Sequence, residues 1–262
     1  MNYFDNELNI MEWFRNVWEQ HVWFPVENEQ CVDLYLSLSS DDRFAEWINS
    51  SGKADPPPDF YNPQTKMMMD VMRIDDHGHT DNRGKFVNPV NQRESAIQKE
   101  LRILGFLDAF PNVQSIFVNA VTDLPEHEDH NYGFYLENFI RTVEKHIKSI
   151  PLYQKNHPGY KTVFFVFDES CGYVLAENEQ QVQNGISEGE SFFCSPYLHF
   201  ADKRFVETII GSDIDYLIWY SPFKYFESDM PELPTVCVYD VKQIVLSDFE
   251  EYPQNLIMSA ES

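Results

Sequence analysis

Acidic side chains that follow predicted β-strands are the first residues in this chain whose spacing suggests chemistry. They are Asp75, Asp76, Asp123, Asp168 and Glu169, each placed just after an apolar segment. The carboxyl ends of parallel strands meet at one edge of a sheet, where α/β proteins place their ligands. Carboxylates that converge there would form an all-oxygen site for Mg²⁺. The competing interpretation is that these residues cap helices and begin loops, as Asp and Glu commonly do.

A second pair of acids lies in a predicted β-hairpin. Pro58 and Asp59 precede an apolar strand over residues 67–74 that contains Asp70. A Pro-Asp pair followed by an acid on the next strand resembles the metal-binding core of the PD-(D/E)XK nuclease superfamily. The alternative is that Asp59 is a turn residue and that Asp70 lies on a solvent-facing edge.

The resemblance covers roughly residues 12–121, and it implies that Asp59 and Asp70 hold Mg²⁺. It also places a water-positioning lysine where this chain has Met72, whose side chain cannot do that work. Other side chains would then have to supply the missing groups: Lys66 or Lys99 for the lysine, and Glu12 or Glu19 for a helical carboxylate.

Two loop segments combine histidines with acids. One contains His77, His79 and Asp81 and superficially resembles the HxHxDH metal loop of metallo-β-lactamase folds, with Asn82 in place of the last histidine. The other is residues 126–130, with the sequence Glu-His-Glu-Asp-His. Imidazole and carboxylate ligands at such spacing can bind zinc. Ordinary loop polarity is the alternative for both segments, because exposed loops are rich in these residues.

Support for covalent catalysis is weaker. Ser170 follows a predicted strand end, but its neighbours do not form a GxSxG elbow. Cys171 could act as a nucleophile with His146 or His157, although burial as a small apolar side chain is the commoner role for such a cysteine.

The elements that must position these residues alternate between strands and helices. Apolar runs predict strands over 32–38, 67–74, 113–121, 162–167, 214–220 and 234–239. Helical spacing predicts helices over 10–21, 89–104 and 134–147 and a shorter one around Phe205. This alternation predicts an α/β fold with a mixed, centrally parallel sheet flanked by helices.

Prolines suggest one internal boundary, at Asp55-Pro56-Pro57-Pro58. The predicted organisation is an N-terminal helical and strand element (1–54), an α/β core (55–250) and a flexible tail (251–262).

Composition restricts the classes of partner. The chain has 43 acidic residues against 19 basic ones and a formal charge of -24. Such a surface repels phosphate backbones and anionic membranes, so it favours a protein partner with a basic surface. The sequence contains no GxGxxG or GxxxxGK[ST] nucleotide-binding loop. Its four dispersed cysteines and the acids of its first helix predict a reduced, cytoplasmic protein.

From sequence alone, we expect an acidic protein-binding module without a cofactor, of the inhibitor, immunity or phage counter-defence type, acting on a nucleic-acid-handling partner. The alternative is a Mg²⁺-dependent nuclease or phosphodiesterase of the PD-(D/E)XK type, in an active or inactive form.

Overall fold

The computed structural model describes residues 6–16, 20–50, 58–110, 112–113, 116–125, 128–184, 194–226 and 232–261. Its strands are β1 (His21–Phe24), β2 (Ile48–Asn49), β3 (Phe60–Asn62), β4 (Met67–Ile74), β5 (His79–Thr80), β6 (Phe86–Val87), β7 (Lys161–Asp168), β8 (Tyr173–Leu175), β9 (Ser195–Pro196), β10 (Tyr216–Tyr220), β11 (Val236–Asp240) and β12 (Ile257–Ser259). Its α-helices are α1 (Asn6–Asn16), α2 (Glu29–Ser39), α3 (Asp41–Phe44), α4 (Pro89–Ile103), α5 (Phe106–Ala109), α6 (Tyr132–Ile147), α7 (Ile150–Asn156), α8 (Glu179–Asn184) and α9 (Lys203–Glu207). Of the residues named above, Glu19, Asp55, Pro56, Pro57, Glu126 and His127 lie outside the described ranges.

Seven strands form one mixed sheet in the order β1-β11-β10-β7-β4-β3-β2. The central strands β10, β7 and β4 run parallel. β11 is antiparallel to β10 and parallel to β1, whereas β3 is antiparallel to both β4 and β2. β4 and β7 stay in register from Met67 opposite Lys161 to Ile74 opposite Asp168. The predicted mixed, centrally parallel sheet flanked by helices is confirmed.

Both faces of the sheet are covered by helices. In β7 every residue after Lys161 is buried, as expected for a parallel strand that packs on both sides. Because successive side chains of a strand point to opposite faces, Met68 and Met72 of β4 join the core beneath α6 and α7. Met69 and Val71 join the core beneath α1 and α2.

α6 is the helix that contributes most to the candidate site. Asn131 caps its N-terminus, where the side-chain oxygen accepts a hydrogen bond from Phe134 N at 3.2 Å. Tyr135, Phe139 and Val143 recur at helical spacing and are buried against the sheet. Their burial fixes the rotation of the helix and therefore the direction of its polar face.

Replacing Asn131 with Ala should lower the free energy of unfolding by about 1 kcal/mol, because an N-terminal N–H of α6 loses its acceptor. Asn131→Ser keeps an oxygen acceptor and should lose less. Urea denaturation of both variants measures the difference, and equal losses would contradict a capping role.

The strand predicted over residues 32–38 is wrong, because these residues lie in α2. Residues four apart share a face in a helix as well as in a strand, so the buried Leu34 and Leu38 fit both patterns. Leu36 distinguishes them, since it is 43% exposed. Asn28 caps the helix by accepting a hydrogen bond from Cys31 N at 2.9 Å.

The strand predicted over residues 113–121 is also wrong, since the described part of this segment forms no strand. None of its described residues pairs with a strand, and Ala120 N instead donates to the Glu94 carboxylate at 3.4 Å. Val121 is 94% exposed, which a strand inside the sheet would not allow.

The two ends of the described chain are part of the folded structure. β1 and β2, from the N-terminal element, belong to the seven-stranded sheet. Within the segment predicted as a flexible tail (251–262), residues 257–259 form β12, pair antiparallel with β8 and are buried. None of the described helices combines the length and apolarity needed to cross a membrane.

Candidate functional site

The β3–β4 hairpin brings Asp59 and Asp70 together. Their carboxyl groups hydrogen-bond to each other, and Asp59 also accepts a hydrogen bond from Val71 N at 2.9 Å. Burial, followed by the charge of Asp70, raises the pKa of Asp59 to about 9, and Glu7 of α1 adds to the shift. At neutral pH the pair therefore holds a proton that isolated carboxylates would have lost.

Two side chains beneath the sheet hold Asp70 in place. Its Oδ2 accepts a hydrogen bond from Tyr153 of α7 at 2.6 Å, and the same atom pairs with Nδ1 of His146 in the last turn of α6. Burial and the charge of Asp70 raise the pKa of Tyr153, so the phenol remains a donor. Asp70 is 3% exposed, so the solvent-facing alternative considered for it is wrong.

The lysines considered for the missing position do not lie beside this pair. Lys66 is in the turn between β3 and β4, and Lys99 is on the exposed side of α4. Neither belongs to the described residues that line the adjoining cavity. Met72 is buried in the apolar core. On α1, Glu12 is exposed, and the carboxylate that acts on Asp59 is Glu7 instead.

A cavity of about 950 Å³ opens between α1 and α6, beside the part of β4 that β3 leaves uncovered. His146, which contacts Asp70, and Val71, which contacts Asp59, both line it. Its charged lining comprises four cationic side chains (Arg73, Arg141, Lys145 and Lys148) and three acidic ones (Glu7, Glu137 and Glu144). Cationic side chains therefore outnumber acidic ones in the lining of this cavity, whereas the whole chain has 19 basic and 43 acidic residues.

The acids at the strand ends have separate protein partners. Asp75 accepts hydrogen bonds from Asn88 Nδ2 at 2.7 Å on both oxygens, and Glu169 forms a two-pronged ion pair with Arg73 at 2.7 and 2.9 Å. Asp123 is exposed on the irregular segment that replaces the predicted strand. The shared Mg²⁺ site predicted for these acids therefore gains no support from their geometry.

Asp168 lies in a fully buried polar network. Lys224 Nζ is 3.3 Å from its Oδ2 and also donates to Ser170 Oγ. Asp168 further accepts hydrogen bonds from Tyr135 OH at 2.5 Å and Trp219 Nε1 at 2.9 Å. Ser170 is completely buried in this network, which closes its hydroxyl to substrate.

The two His/acid loops, predicted separately, lie against each other. Gly78 N donates to Glu128 O at 2.9 Å, which ties the loop after β4 to the loop before α6. His77 Nδ1 lies 2.9 Å from Asp129 Oδ1. Asp81 has a different role from the histidines, since it accepts hydrogen bonds from backbone N–H groups in the turn between β5 and β6.

Asp76 and His130 form the buried side of this cluster, with His130 Nδ1 3.1 Å from Asp76 Oδ2. Asp76 also accepts hydrogen bonds from Tyr173 OH at 2.8 Å and Cys171 N at 3.1 Å. Burial opposes both charges, yet their mutual attraction lowers the pKa of Asp76 to about 2 and raises that of His130 to about 11. The cysteine considered as a nucleophile therefore lies beside His130, not beside His146.

The thiol of Cys171 is a poor nucleophile, because burial raises its pKa. His157, the other base considered for it, packs against the rings of Tyr61 and Tyr160. A structural role for both residues agrees with these contacts.

No family model, curated protein or solved structure matches this chain. What the site can do therefore follows from its own side chains. They provide a carboxyl pair that shares a proton, an Asp–His pair at a cavity wall, and a separate His/carboxylate cluster. The first two occur together and supply the groups that metal-assisted hydrolysis requires.

Sequence patterns pointed to Asp59 and Asp70 but missed the α6 side chains near them. His146 was considered only as a partner of Cys171. Arg141 and Lys145 are four residues apart and therefore share a face of α6, and Lys148, three residues further on, is the residue just after the helix. A row of cationic residues on one predicted helix of so acidic a chain would have indicated the cationic lining of the cavity between α1 and α6.

Proposed function

We propose that this chain hydrolyses phosphodiester bonds with a divalent cation, in the cavity between α1 and α6. The observation that carries the proposal is the Asp59–Asp70 carboxyl pair. Burial and the charge of Asp70 raise the pKa of Asp59 to about 9, so the pair retains a proton at neutral pH. The pair is joined to the cavity through His146 and Val71.

Mg²⁺ suits this pair, because it binds hard oxygen ligands and commonly takes one or two carboxylates together with water. Asp59 Oδ2 accepts from Val71 N, and Asp70 Oδ2 accepts from Tyr153, so each carboxyl group keeps a second oxygen for the cation. The cation would take the place of the shared proton and would relieve the repulsion that raises the pKa of Asp59. When bound, it polarises a phosphoryl oxygen and acidifies bound water.

His146 is the proton acceptor in this proposal and replaces the lysine that Met72 cannot supply. Its Nδ1 pairs with the buried Asp70, so a neutral imidazole donates that proton and keeps the lone pair on Nε2. A water attacks phosphorus and gives a proton to Nε2 while the bond from phosphorus to the leaving oxygen breaks. The leaving alkoxide takes a proton from solvent, and His146 later returns its proton to solvent. The products are a phosphomonoester and an alcohol, so atoms and charge balance.

The wall of the cavity supports an anionic substrate. Arg141 and Lys145 of α6 line the cavity together with Lys148, which follows the last residue of the helix. Attraction between phosphate and these cations acts at short range and in a concave site, where the net charge of the distant surface is screened by salt. A substrate the size of a short oligonucleotide segment or a dinucleotide suits a volume of about 950 Å³.

The test is hydrolysis of bis(p-nitrophenyl) phosphate and of labelled single- and double-stranded oligonucleotides, with and without millimolar Mg²⁺ or Mn²⁺. We expect metal-dependent cleavage that is lost in Asp59→Asn and in Asp70→Asn. The matched control is Asp81→Asn, which removes a charge from an exposed turn and should cleave like the parent. Cleavage that persists in Asp70→Asn, or none by the parent with either metal, contradicts the proposal.

Thermal unfolding separates binding from chemistry. A cation that binds only the folded state raises stability by about 2.7 kcal/mol at 100 times its Kd. We expect this increment in the parent and not in Asp59→Asn. Without metal the variant should match or exceed the parent in stability, since an amide beside Asp70 removes the repulsion and still accepts from Val71 N.

The overall charge supports a second candidate, a module that binds a partner with a basic surface. Ile103 and Leu104 at the end of α4 are 74% and 78% exposed, and Phe110 after α5 is 52% exposed, which supplies apolar contacts of the kind that hold such complexes. Capture of a basic protein from the native host should then be lost at high salt and in Ile103→Asp/Leu104→Asp. Capture by this double variant equal to that by the parent contradicts this candidate.

A further inference from the structure

We propose that the joined His/acid loops form a second metal site, specific for a borderline transition ion such as Zn²⁺, with His77, Asp129 and His130 as its ligands. The site is separate from the Asp59–Asp70 pair and does not depend on the function proposed for that pair. Among the described residues, two groups of three metal-ligating side chains have donor atoms within 4.8 Å of one another, and both include His130.

Two of the three donor separations are near those of a tetrahedral set, and all three atoms lie within 4.8 Å of one another. His77 Nδ1 and Asp129 Oδ1 are 2.9 Å apart, and His130 Nε2 and the same oxygen are 3.5 Å apart. Ligands about 2.0–2.1 Å from a tetrahedral zinc ion are about 3.3–3.4 Å from one another. Small adjustments would therefore bring the three atoms onto one ion.

The orientation of His77 points to the same conclusion. Its Nδ1 is buried and makes no hydrogen bond, although Asp129 Oδ1 is only 2.9 Å away. A ring nitrogen and a carboxylate oxygen that are close but misaligned for hydrogen bonding have the arrangement of two ligands directed at a common point. Leaving such a nitrogen unpaired costs free energy, which a bound ion would recover.

Asp76 supports the site from behind. Its buried carboxylate lies 3.1 Å from Nδ1 of His130, which directs Nε2 of that ring towards Asp129. A carboxylate behind a ligating histidine fixes the ring and its tautomer, and it is a common companion of zinc sites. This arrangement favours the ligand group with His77 over the alternative group of Asp76, His130 and Cys171.

The chemistry of the ligands selects the ion. Two imidazoles and one carboxylate suit Zn²⁺, whereas Mg²⁺ and Ca²⁺ prefer oxygen ligands throughout. The three residues line a cavity of about 320 Å³ on the side of Arg73 and Glu169. Three protein ligands beside a cavity leave a fourth position for water or a small anion, which is the arrangement of a catalytic or ligand-binding zinc site. Glu261 Oε2, 3.2 Å from His130 Nε2, adds an acidic group at the rim.

The experiment is a titration of chelator-treated full-length protein with Co²⁺, which reports tetrahedral nitrogen and oxygen ligation through its visible spectrum, followed by displacement with Zn²⁺. We expect one tight equivalent in the parent. His77→Gln and Asp129→Asn should each weaken binding by more than about 100-fold, and Asp76→Asn, which removes a positioning residue, by about 10- to 100-fold.

The controls separate this site from the first one. Asp81→Asn, four residues after His77 in the β5–β6 turn, should keep the spectrum and affinity of the parent. Asp70→Asn, at the carboxyl pair, should keep the tetrahedral spectrum, because that pair offers no nitrogen ligand. Near-UV circular dichroism checks that each variant is folded. If His77→Gln does not fold, Asp129→Asn still tests the site, because Asp129 is 39% exposed and its replacement should not disturb the fold. Absence of saturable Co²⁺ binding by the parent overturns the inference. So does equal affinity in Asp129→Asn and Asp81→Asn.

Discussion

Replacing Lys224 with Met should lower the free energy of unfolding by about 3–5 kcal/mol, because it leaves a buried carboxylate without its cation. Lys224 and Asp168 are 3% and 0% exposed, and Lys224 Nζ is 3.3 Å from Asp168 Oδ2. The ammonium also lies 4.5 Å from the centre of the Tyr135 ring and donates to the Cys171 carbonyl at 3.0 Å. Methionine fills a similar volume, so the loss measures charge compensation more than packing.

Chemical denaturation of three variants tests this explanation. Lys224→Met/Asp168→Asn removes both charges and should recover much of the stability that the single variant loses. Lys148→Met is the surface control, since Lys148 and Glu144 are 78% and 56% exposed and their charged atoms are 4.0 Å apart, and it should cost less than about 1 kcal/mol. Similar losses for Lys224→Met and Lys148→Met would contradict a buried ion pair.

Long apolar runs made the central strands predictable, whereas shorter apolar patterns did not distinguish a strand from a helix. The segments that became β4, β7, β10 and β11 consist mainly of residues buried on both faces, which few other elements require. In α2, the spacing of Leu34 and Leu38 suits both a strand and a helix, and only the exposure of Leu36 separates them. Asn28, a favourable N-cap residue just before the pattern, favoured the helix.

The candidate site was predictable where its residues are close in sequence. Asp59 and Asp70 lie on one hairpin, so the pairing of β3 with β4 is enough to join them. His146 is 76 residues beyond Asp70 and reaches it only because α6 packs across β4. The joining of the two His/acid loops likewise depends on tertiary contacts, such as the hydrogen bond from Asn131 N to Asp76 O at 3.0 Å.

Net charge was an incomplete guide because a sum over the chain does not say where charges lie. The value of -24 predicted that phosphate would be repelled. Yet four of the 19 basic residues line one cavity, and two of them, Arg141 and Lys145, belong to a single helix. Much of the acidic excess belongs to exposed residues, whose field is screened over about 8–10 Å in physiological salt. The charge around a concave site can therefore differ in sign from that of the molecule.

Replacing His146 with Gln should lower kcat for phosphodiester hydrolysis by about 100- to 10,000-fold, the range expected when a general base is removed. Gln can still donate a hydrogen bond to Asp70, so the carboxyl pair should keep its position and its affinity for the cation. The increase in melting temperature with Mg²⁺ should therefore persist.

Lys145→Ala provides the matched comparison for His146→Gln, because both residues line the cavity and only His146 contacts Asp70. A side chain that only attracts phosphate contributes mainly to binding, so Lys145→Ala should raise KM and change kcat little. Added imidazole should restore part of the rate to a truncated His146→Ala variant and should not affect Lys145→Ala. If His146→Gln changes only KM, or if imidazole fails to restore any rate, His146 is not the base. The water would then have to be activated by the cation alone.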